Sequence, residues 1–293
     1  MSHSTLQQIA LQEKTRREIL HKSDLIPPLP DLVVRLLGVL NKQETEPQDL
    51  ERLLQNDQVL VAKMLAMVNS PFYGLNRTIR TIKEAVMVLG FRGVRSLVLA
   101  TSTAKFLQRN FEVYGHQPKG LWLHAVSVAA AARALARHVR MSADDAEMLF
   151  VAGLLHDIGK MLLVGYLNES GKTPAPGSSV YEFERVTIGI DHTEAGALVT
   201  AKWNLANDIQ EAIKAHHEAT GASAPRGAAV IRLADAVAHE RGIGYLPGKA
   251  PAAQPLPTDL AALGLDEPTW STLRDALVVT IDDAVAALGN LSV

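Results

Sequence analysis

The chain has 293 residues, 47% of them hydrophobic, which is ample for a buried core and more than one small domain needs, so two packed subdomains are expected. Lys and Arg number 29 against 31 Asp and Glu, a net charge of -2, and no global field draws the chain onto nucleic acid or an anionic membrane. Cysteine is absent, which excludes disulfides, thiolate catalysis, iron–sulfur clusters and every Cys-containing zinc site, leaving nitrogen and oxygen ligands for any metal.

Residues 1–22 read as a lone polar helix, stopped by Ile26-Pro27-Pro28-Leu29-Pro30. It lacks the apolar stretch of a signal peptide, and no uninterrupted apolar run reaches the ~18 residues of a membrane span, so a soluble, cytoplasmic protein is expected. Helical spacing then recurs in Leu32, Leu36, Val39 and Leu40, in Leu50, Leu53 and Leu54, and in Leu60, Met64, Met67 and Val68, up to Ser70-Pro71. Ala85, Val88 and Leu89, then Val94, Leu97, Val98 and Thr101, give two more runs punctuated by Gly90 and Gly93. Near Phe111–Gly120 the rhythm lapses, which divides a helical subdomain at 23–115 from a second at 116–241. Helices are expected at 121–139, 143–165, 191–203, 207–218 and 227–241, with a loop from Gly171 to Ser179. The remainder, 242–293, reads as a surface linker over 242–258 and a last helix from Pro268 to Leu288. No strand alternation is evident, and the predicted class is all-α.

Five of the ten histidines fall at inward positions of the second half. Ser142 is a plausible N-cap for the helix that closes in Leu154-Leu155-His156-Asp157-Ile158-Gly159-Lys160. There Gly153, His156, Asp157 and Lys160 share a face at spacings of three and four, with Gly153 leaving room for close approach. An imidazole beside a carboxylate suits a metal, and Lys160 one turn on could meet a phosphate. His124 lies in line with Leu121, Val128 and Leu135; His192 opens a helix with Asp191 and Glu194 in capping-box positions; His216 follows Ile209, Ala212 and Ile213, with His217 its neighbour. Asp235 stands in the apolar run Val230–Val237, an expensive place for a carboxylate. Each has an ordinary alternative: a hydrogen-bonded core histidine, a capped helix start, or Asp235 paired with Arg232 or His239 on its own helix. Their number favours a metal, because burying several imidazoles and two carboxylates together is costly unless a divalent cation offsets it.

The order His124, His156-Asp157, His192, His216-His217 and Asp235 resembles the HD superfamily of metal-dependent phosphohydrolases, over about 121–241. Residues 26–110, with Leu29-Pro30, Asn69-Ser70-Pro71-Phe72-Tyr73-Gly74, Ile82-Lys83-Glu84-Ala85-Val86 and Leu89-Gly90, look like the N-terminal half of the HDOD family, an HD-related output domain of bacterial signalling. His192-Thr193-Glu194-Ala195-Gly196-Ala197 and Trp203 are also HDOD-like. The HDOD resemblance implies a noncatalytic regulator working through a signalling protein partner. The superfamily resemblance implies that His124, His156, Asp157 and Asp235 hold one ion and that Asp157 bridges to a second held by His192, His216 and His217. Iron, manganese, nickel or zinc would suit such ligands. In an enzyme of that kind a water between the ions, its pKa lowered toward about 7, attacks a phosphorylated small molecule positioned by Lys160.

The branch of the superfamily that hydrolyses cyclic dinucleotides carries Gly-Tyr-Pro shortly after the paired histidines, where this chain reads Glu218 to Pro225 without it. Gly244-Tyr245-Leu246-Pro247 lies beyond Asp235 in the linker, and Gly120 stands where some members place a glutamate for a third ion. Arg77, Arg80, Lys83, Arg92 and Arg95 raise a nucleic-acid module as a lesser alternative, set against Glu84 among them and the net charge of -2. Gly165 to Thr173 misses the phosphate-loop spacing, and no Gly-x-Ser-x-Gly elbow exists.

Overall fold

The computed structural model describes residues 3–21, 23–40, 44–55, 57–175, 178–218, 225–251 and 256–289. Helix starts follow local chemistry. After α1 (His3–His21) and α2 (Asp31–Leu40), α3 (Pro47–Leu54) begins on a proline with Glu46 and Asp49 closing a capping box, and α4 (Gln58–Val68) opens where Asp57 accepts the Leu60 N–H. Helix α5 (Ile82–Leu107) is capped by the Thr81 hydroxyl and broken at Gly90, whose φ of 69° suits glycine; the two apolar runs of the sequence are the two arms of this bent helix.

Then come α6 (Gly120–His138), α7 (Ala143–Leu155), α8 (Lys160–Ser170), α9 (Val180–Ile188), α10 (His192–Lys202), α11 (Asn207–Lys214), α12 (Arg226–Glu240), α13 (Pro257–Leu263) and α14 (Glu267–Leu288). Ser142 caps α7 in a reciprocal box with Asp145, as the sequence suggests. Among the described residues there is no strand, only one isolated bridge between His116 and Tyr245. Helices α2 to α4 pack on α5, and α5 meets α7; α6 lies at the centre of the second half, against α7, α12 and α14. One apolar core runs through both halves. Its close packing comes from small residues: Ala125, Ala129, Ala132 and Ala136 of α6 are buried, and a Cβ at Gly153 would stand 2.9 Å from the Ala129 Cα.

Several sequence expectations change. The stretch 143–165 is two helices rather than one, because α7 ends at Leu155 and tight i,i+3 bonds from Ile158, Lys160, Met161 and Leu162 carry the chain around His156–Gly159 into α8. Helices α9 and α13 were not anticipated; both are short, 9 and 7 residues, and each follows a stretch rich in Pro, Gly, Ser or Ala that masks its periodicity. The supposed linker is not all surface, since Tyr245 is buried. Helix α5 and the α7–α8 stretch are long and apolar enough to cross a membrane although neither is an uninterrupted apolar run, and 61% and 78% of their apolar windows are buried inside the protein. Helices apolar all round are what a large core requires. In the basic cluster, Arg92 is paired with Asp144 at 2.8 Å.

The joint between the halves holds Arg133 of α6, buried with its guanidinium 4.2 Å from the Phe72 ring centroid, 4.9 Å from Tyr73 and 5.0 Å from Phe150, and 3.5 Å from Glu147. Burial pushes the neighbouring Tyr73 hydroxyl up to about 12, against the pull of Arg133. Because the folded value exceeds the unfolded one of 10.0, this group's contribution is complete below pH 10 and lost as pH rises through about 12. Urea unfolding at rising alkaline pH should show a loss of about 2 kcal/mol from this residue that Tyr73→Phe abolishes.

Candidate metal centre

Five segments deliver the candidate ligands to one place. Helix α6 carries His124 near its start, and the turn after α7 carries His156 and Asp157. His192 opens α10, where the Asp191 carboxylate accepts the N–H groups of Thr193 and Glu194. Glu194 does not complete the anticipated capping box; it pairs with Arg16 of α1. His216 and His217 follow the end of α11, and Asp235 lies on α12. Backbone contacts set these segments at close range. A Cβ at Gly159 would fall 2.0 Å from the His192 carbonyl oxygen and 2.5 Å from the Gly196 nitrogen, so only glycine lets the His156–Gly159 turn meet α10. A Cβ at Gly120 would fall 1.9 Å from the Gly244 oxygen, and the space where a longer side chain at 120 would lie is filled by that turn.

All seven sequence-predicted ligands come together. His124 Nε2 lies 3.1 Å from Asp235 Oδ1 and 3.7 Å from Asp157 Oδ2; His156 Nε2 lies 3.4 Å from Asp157 Oδ2 and 3.8 Å from Asp235 Oδ1. On the other side His192 Nε2 is 3.3 Å from Asp157 Oδ1, 3.3 Å from His216 Nε2 and 3.0 Å from His217 Nε2. The two Asp157 oxygens thus face two groups of donors. Ligand atoms around one ion at about 2.1 Å stand roughly 3.0–3.5 Å apart, which matches the tighter of these separations. Lys160 donates to Asp157 Oδ2 at 2.7 Å and is itself buried.

The hydrogen bonds behind the rings suit a cation at the centre. His156 Nδ1 faces the Gly153 carbonyl at 2.7 Å, His216 Nδ1 the Ile213 carbonyl at 2.6 Å, and His192 Nδ1 the Glu184 carboxylate at 2.6 Å. Each of these oxygens only accepts, so each Nδ1 carries the proton, and a ring in its neutral form turns the bare lone pair of Nε2 toward the centre. In that form His192 and His216 hold two lone pairs 3.3 Å apart with no proton between them. Both ring nitrogens of His124 and Asp235 Oδ1 are buried without a hydrogen-bond partner in the protein. A divalent cation at the centre would satisfy the inward Nε2 atoms and Asp235 Oδ1, though not His124 Nδ1 on the far side of its ring.

The charge states agree. Burial pushes Asp157 upward, but Lys160 and His156 hold it well below the ordinary carboxylate value; Asp235 is likewise held well below by His239 and His124 against its burial. Burial lowers His124, takes His216 down to about 3 and holds His217 well below the ordinary imidazole value. His156 is the exception: burial lowers it, yet Asp157 and Asp235 raise it overall. Ionised carboxylates and largely neutral imidazoles are the states that bind metal.

The structure adds residues that the sequence reading did not assign. Glu184 on α9 also accepts the His192 backbone N–H at 2.8 Å and the Tyr114 hydroxyl at 2.8 Å. It shares a helix face with Val180 and Ile188, a carboxylate on an apolar stripe, which is the signal that singled out Asp235. His239 stacks on His124, with ring centroids 4.8 Å apart, places Nδ1 3.5 Å from Asp235 Oδ1 and meets the Tyr245 hydroxyl at 3.0 Å. Tyr245, read as part of a surface linker, stacks on His116 at 4.2 Å. Arg232 does not pair with Asp235: its guanidinium is bound to Asp259 of α13. A cavity of about 270 Å³ opens over the cluster, walled by Lys160, Tyr181, His217 and Leu256 among others.

An all-helical fold around a buried histidine–aspartate cluster places the chain among the HD-type helical proteins. The HDOD domain model matches residues 26–219, and the chain belongs to the HDOD family; Asp235 and the last three helices lie beyond that match. A protein of Treponema pallidum (strain Nichols), itself uncharacterized, is 26% identical over 220 residues, 71% of this chain and 41% of its own; the chain thus spans about two fifths of that curated relative. An HDOD domain protein of unknown function from Geobacter sulfurreducens shares the fold with a TM-score of 0.71 at 23% identity, over 97% of this chain and 99% of its own. A Shewanella amazonensis SB2B protein that carries a provisional phosphohydrolase name has a TM-score of 0.72 at 22% identity, over 94% and 98% of the two chains.

Proposed function

We propose that this chain is a cytoplasmic HDOD signalling module that holds a divalent-metal centre and acts through a protein partner. The observation that carries the metal is the set of inward lone pairs. His156, His192 and His216 each commit their Nδ1 proton to a fixed oxygen, which leaves their Nε2 atoms facing Asp157 and Asp235. His124, His156, Asp157 and Asp235 would hold one ion; the second oxygen of Asp157, with His192, His216 and His217, would hold another. Iron, manganese, nickel and zinc all suit mixed imidazole and carboxylate donors. Bound there, such an ion supplies Lewis acidity and lowers the pKa of a nearby water. The chain's own residues do the rest: Lys160 fixes Asp157, and the Nδ1 bonds hold the rings of His156, His192 and His216 in register.

A second reading, hydrolysis of a phosphorylated small molecule, is favoured by one further observation: Lys160 borders the cavity, where its ammonium could neutralise a phosphoryl group. The volume of about 270 Å³ lies near the lower end for ligand pockets. Elemental analysis of protein purified from media supplemented with each of the four metals tests the centre; one or two ions per chain are expected, and none in any preparation would overturn it. A panel of phosphomonoesters and cyclic nucleotides separates the two readings. Absence of turnover in metal-loaded protein supports the regulator, whereas turnover that Lys160→Met lowers at least tenfold in kcat supports the hydrolase.

A further inference from the structure

We infer that Glu184, held by Tyr114, is a positioning residue for the three-histidine side of the cluster and adds negative charge to a side that otherwise has only its share of Asp157. The inference rests on the metal reading above and concerns how the two halves differ. The side formed by His124 and His156 faces two carboxylates, Asp157 Oδ2 and Asp235 Oδ1. The side formed by His192, His216 and His217 directly faces only the shared Asp157, through Oδ1. The imidazoles are also backed unequally. Neutral backbone carbonyls stand behind His156 and His216, whereas His192 donates from Nδ1 to a full carboxylate at 2.6 Å.

Glu184 is fully buried, and its hydrogen bonds come from neutral donors: the His192 N–H and ring at Oε2, and the Tyr114 hydroxyl at Oε1. Arg185, the adjacent cation, is committed to Asp191. A buried carboxylate with neutral donors is costly unless a positive charge lies close by. A divalent ion held by Nε2 of His192, on the other side of the ring from the Nδ1 bond to Glu184, would meet that need. In return the carboxylate raises the basicity of the ring and locks its tautomer, which strengthens the metal bond. Tyr114 fixes the second oxygen, so that the carboxylate cannot rotate away from the ring.

Stepwise titration of the metal-free protein with Co²⁺, followed by visible absorption, reads the two halves separately. Glu184→Gln keeps the size and an acceptor oxygen but removes the charge; it should weaken one binding step 10–100-fold and leave the other within about threefold. Tyr114→Phe, which removes a single hydroxyl, should weaken the same step by a smaller factor. Asp235→Asn should weaken the other step. Nitrogen-15 NMR of the metal-free protein gives a readout independent of binding: the His192 Nδ1–H signal, shifted downfield by the carboxylate, should move upfield in Glu184→Gln. Titration of both variants within about threefold of wild type at every step overturns the inference and leaves the metal centre intact, as does equal weakening of both steps. Wild-type protein that takes up no Co²⁺ overturns the metal reading itself.

Discussion

Replacement of Asp157 by alanine is expected to empty both halves of the cluster at once, because its two oxygens face different donor groups: Oδ2 toward His124 and His156, Oδ1 toward His192. No ion should survive desalting, whereas Asp235→Ala, which takes a donor from one half only, should leave part of the metal in place. Metal at a thousand times its Kd adds about 4 kcal/mol to wild-type stability, and this increment should vanish in Asp157→Ala. A separate loss is expected even in chelator. The Lys160 ammonium is buried and donates to Asp157 at 2.7 Å, and a buried charge stripped of its partner costs about 3–5 kcal/mol. The double variant Asp157→Ala with Lys160→Met should recover much of that second loss while still binding no metal. Urea unfolding of the four proteins in chelator, beside elemental analysis, distinguishes the effects; a single variant as stable as wild type under chelator would refute the Lys160 account.

Arg133→Met is expected to be the largest purely structural loss, about 2–4 kcal/mol in urea unfolding. The guanidinium lies against the rings of Phe72, Tyr73 and Phe150, joining the segment after α4 to α6 and α7, and it faces the largely buried Glu147. Methionine fills most of the volume but loses the cation–ring attraction and leaves Glu147 with Arg137, a partner whose side chain is 60% exposed. Arg133→Met combined with Glu147→Leu should recover part of the loss, since apolar replacement of both members removes the stranded charge. Metal content should stay unchanged, because none of these groups touches the cluster.

Much of this was written in the chain. Apolar spacing marks the long helices, Ser142 announces α7, and the seven candidate site residues stand out as imidazoles and carboxylates at inward positions, six of them buried and His217 partly so. What stayed hidden has physical causes. The break after Leu155 is made by a tight turn whose residues still satisfy helical spacing, so periodicity alone runs straight through it. Helix α9 spans only 9 residues, too few for its stripe to stand out, and with it Glu184 escaped notice. The Arg232–Asp259 pair bridges 27 positions, a choice of partner that no local rule on one helix could prefer. Tyr245 and His116 meet through a turn in a Gly- and Pro-rich stretch, where composition suggests surface and tertiary packing decides otherwise.

The contact between Gly159 and the start of α10 has one more consequence. The interval between the two donor groups is gauged by main chain lying on main chain, with no side chain interposed to act as an adjustable shim. Any side chain at position 159 would force the turn that carries Asp157 away from the helix that carries His192. That dimension is ruled by the one residue that contributes no side chain at all.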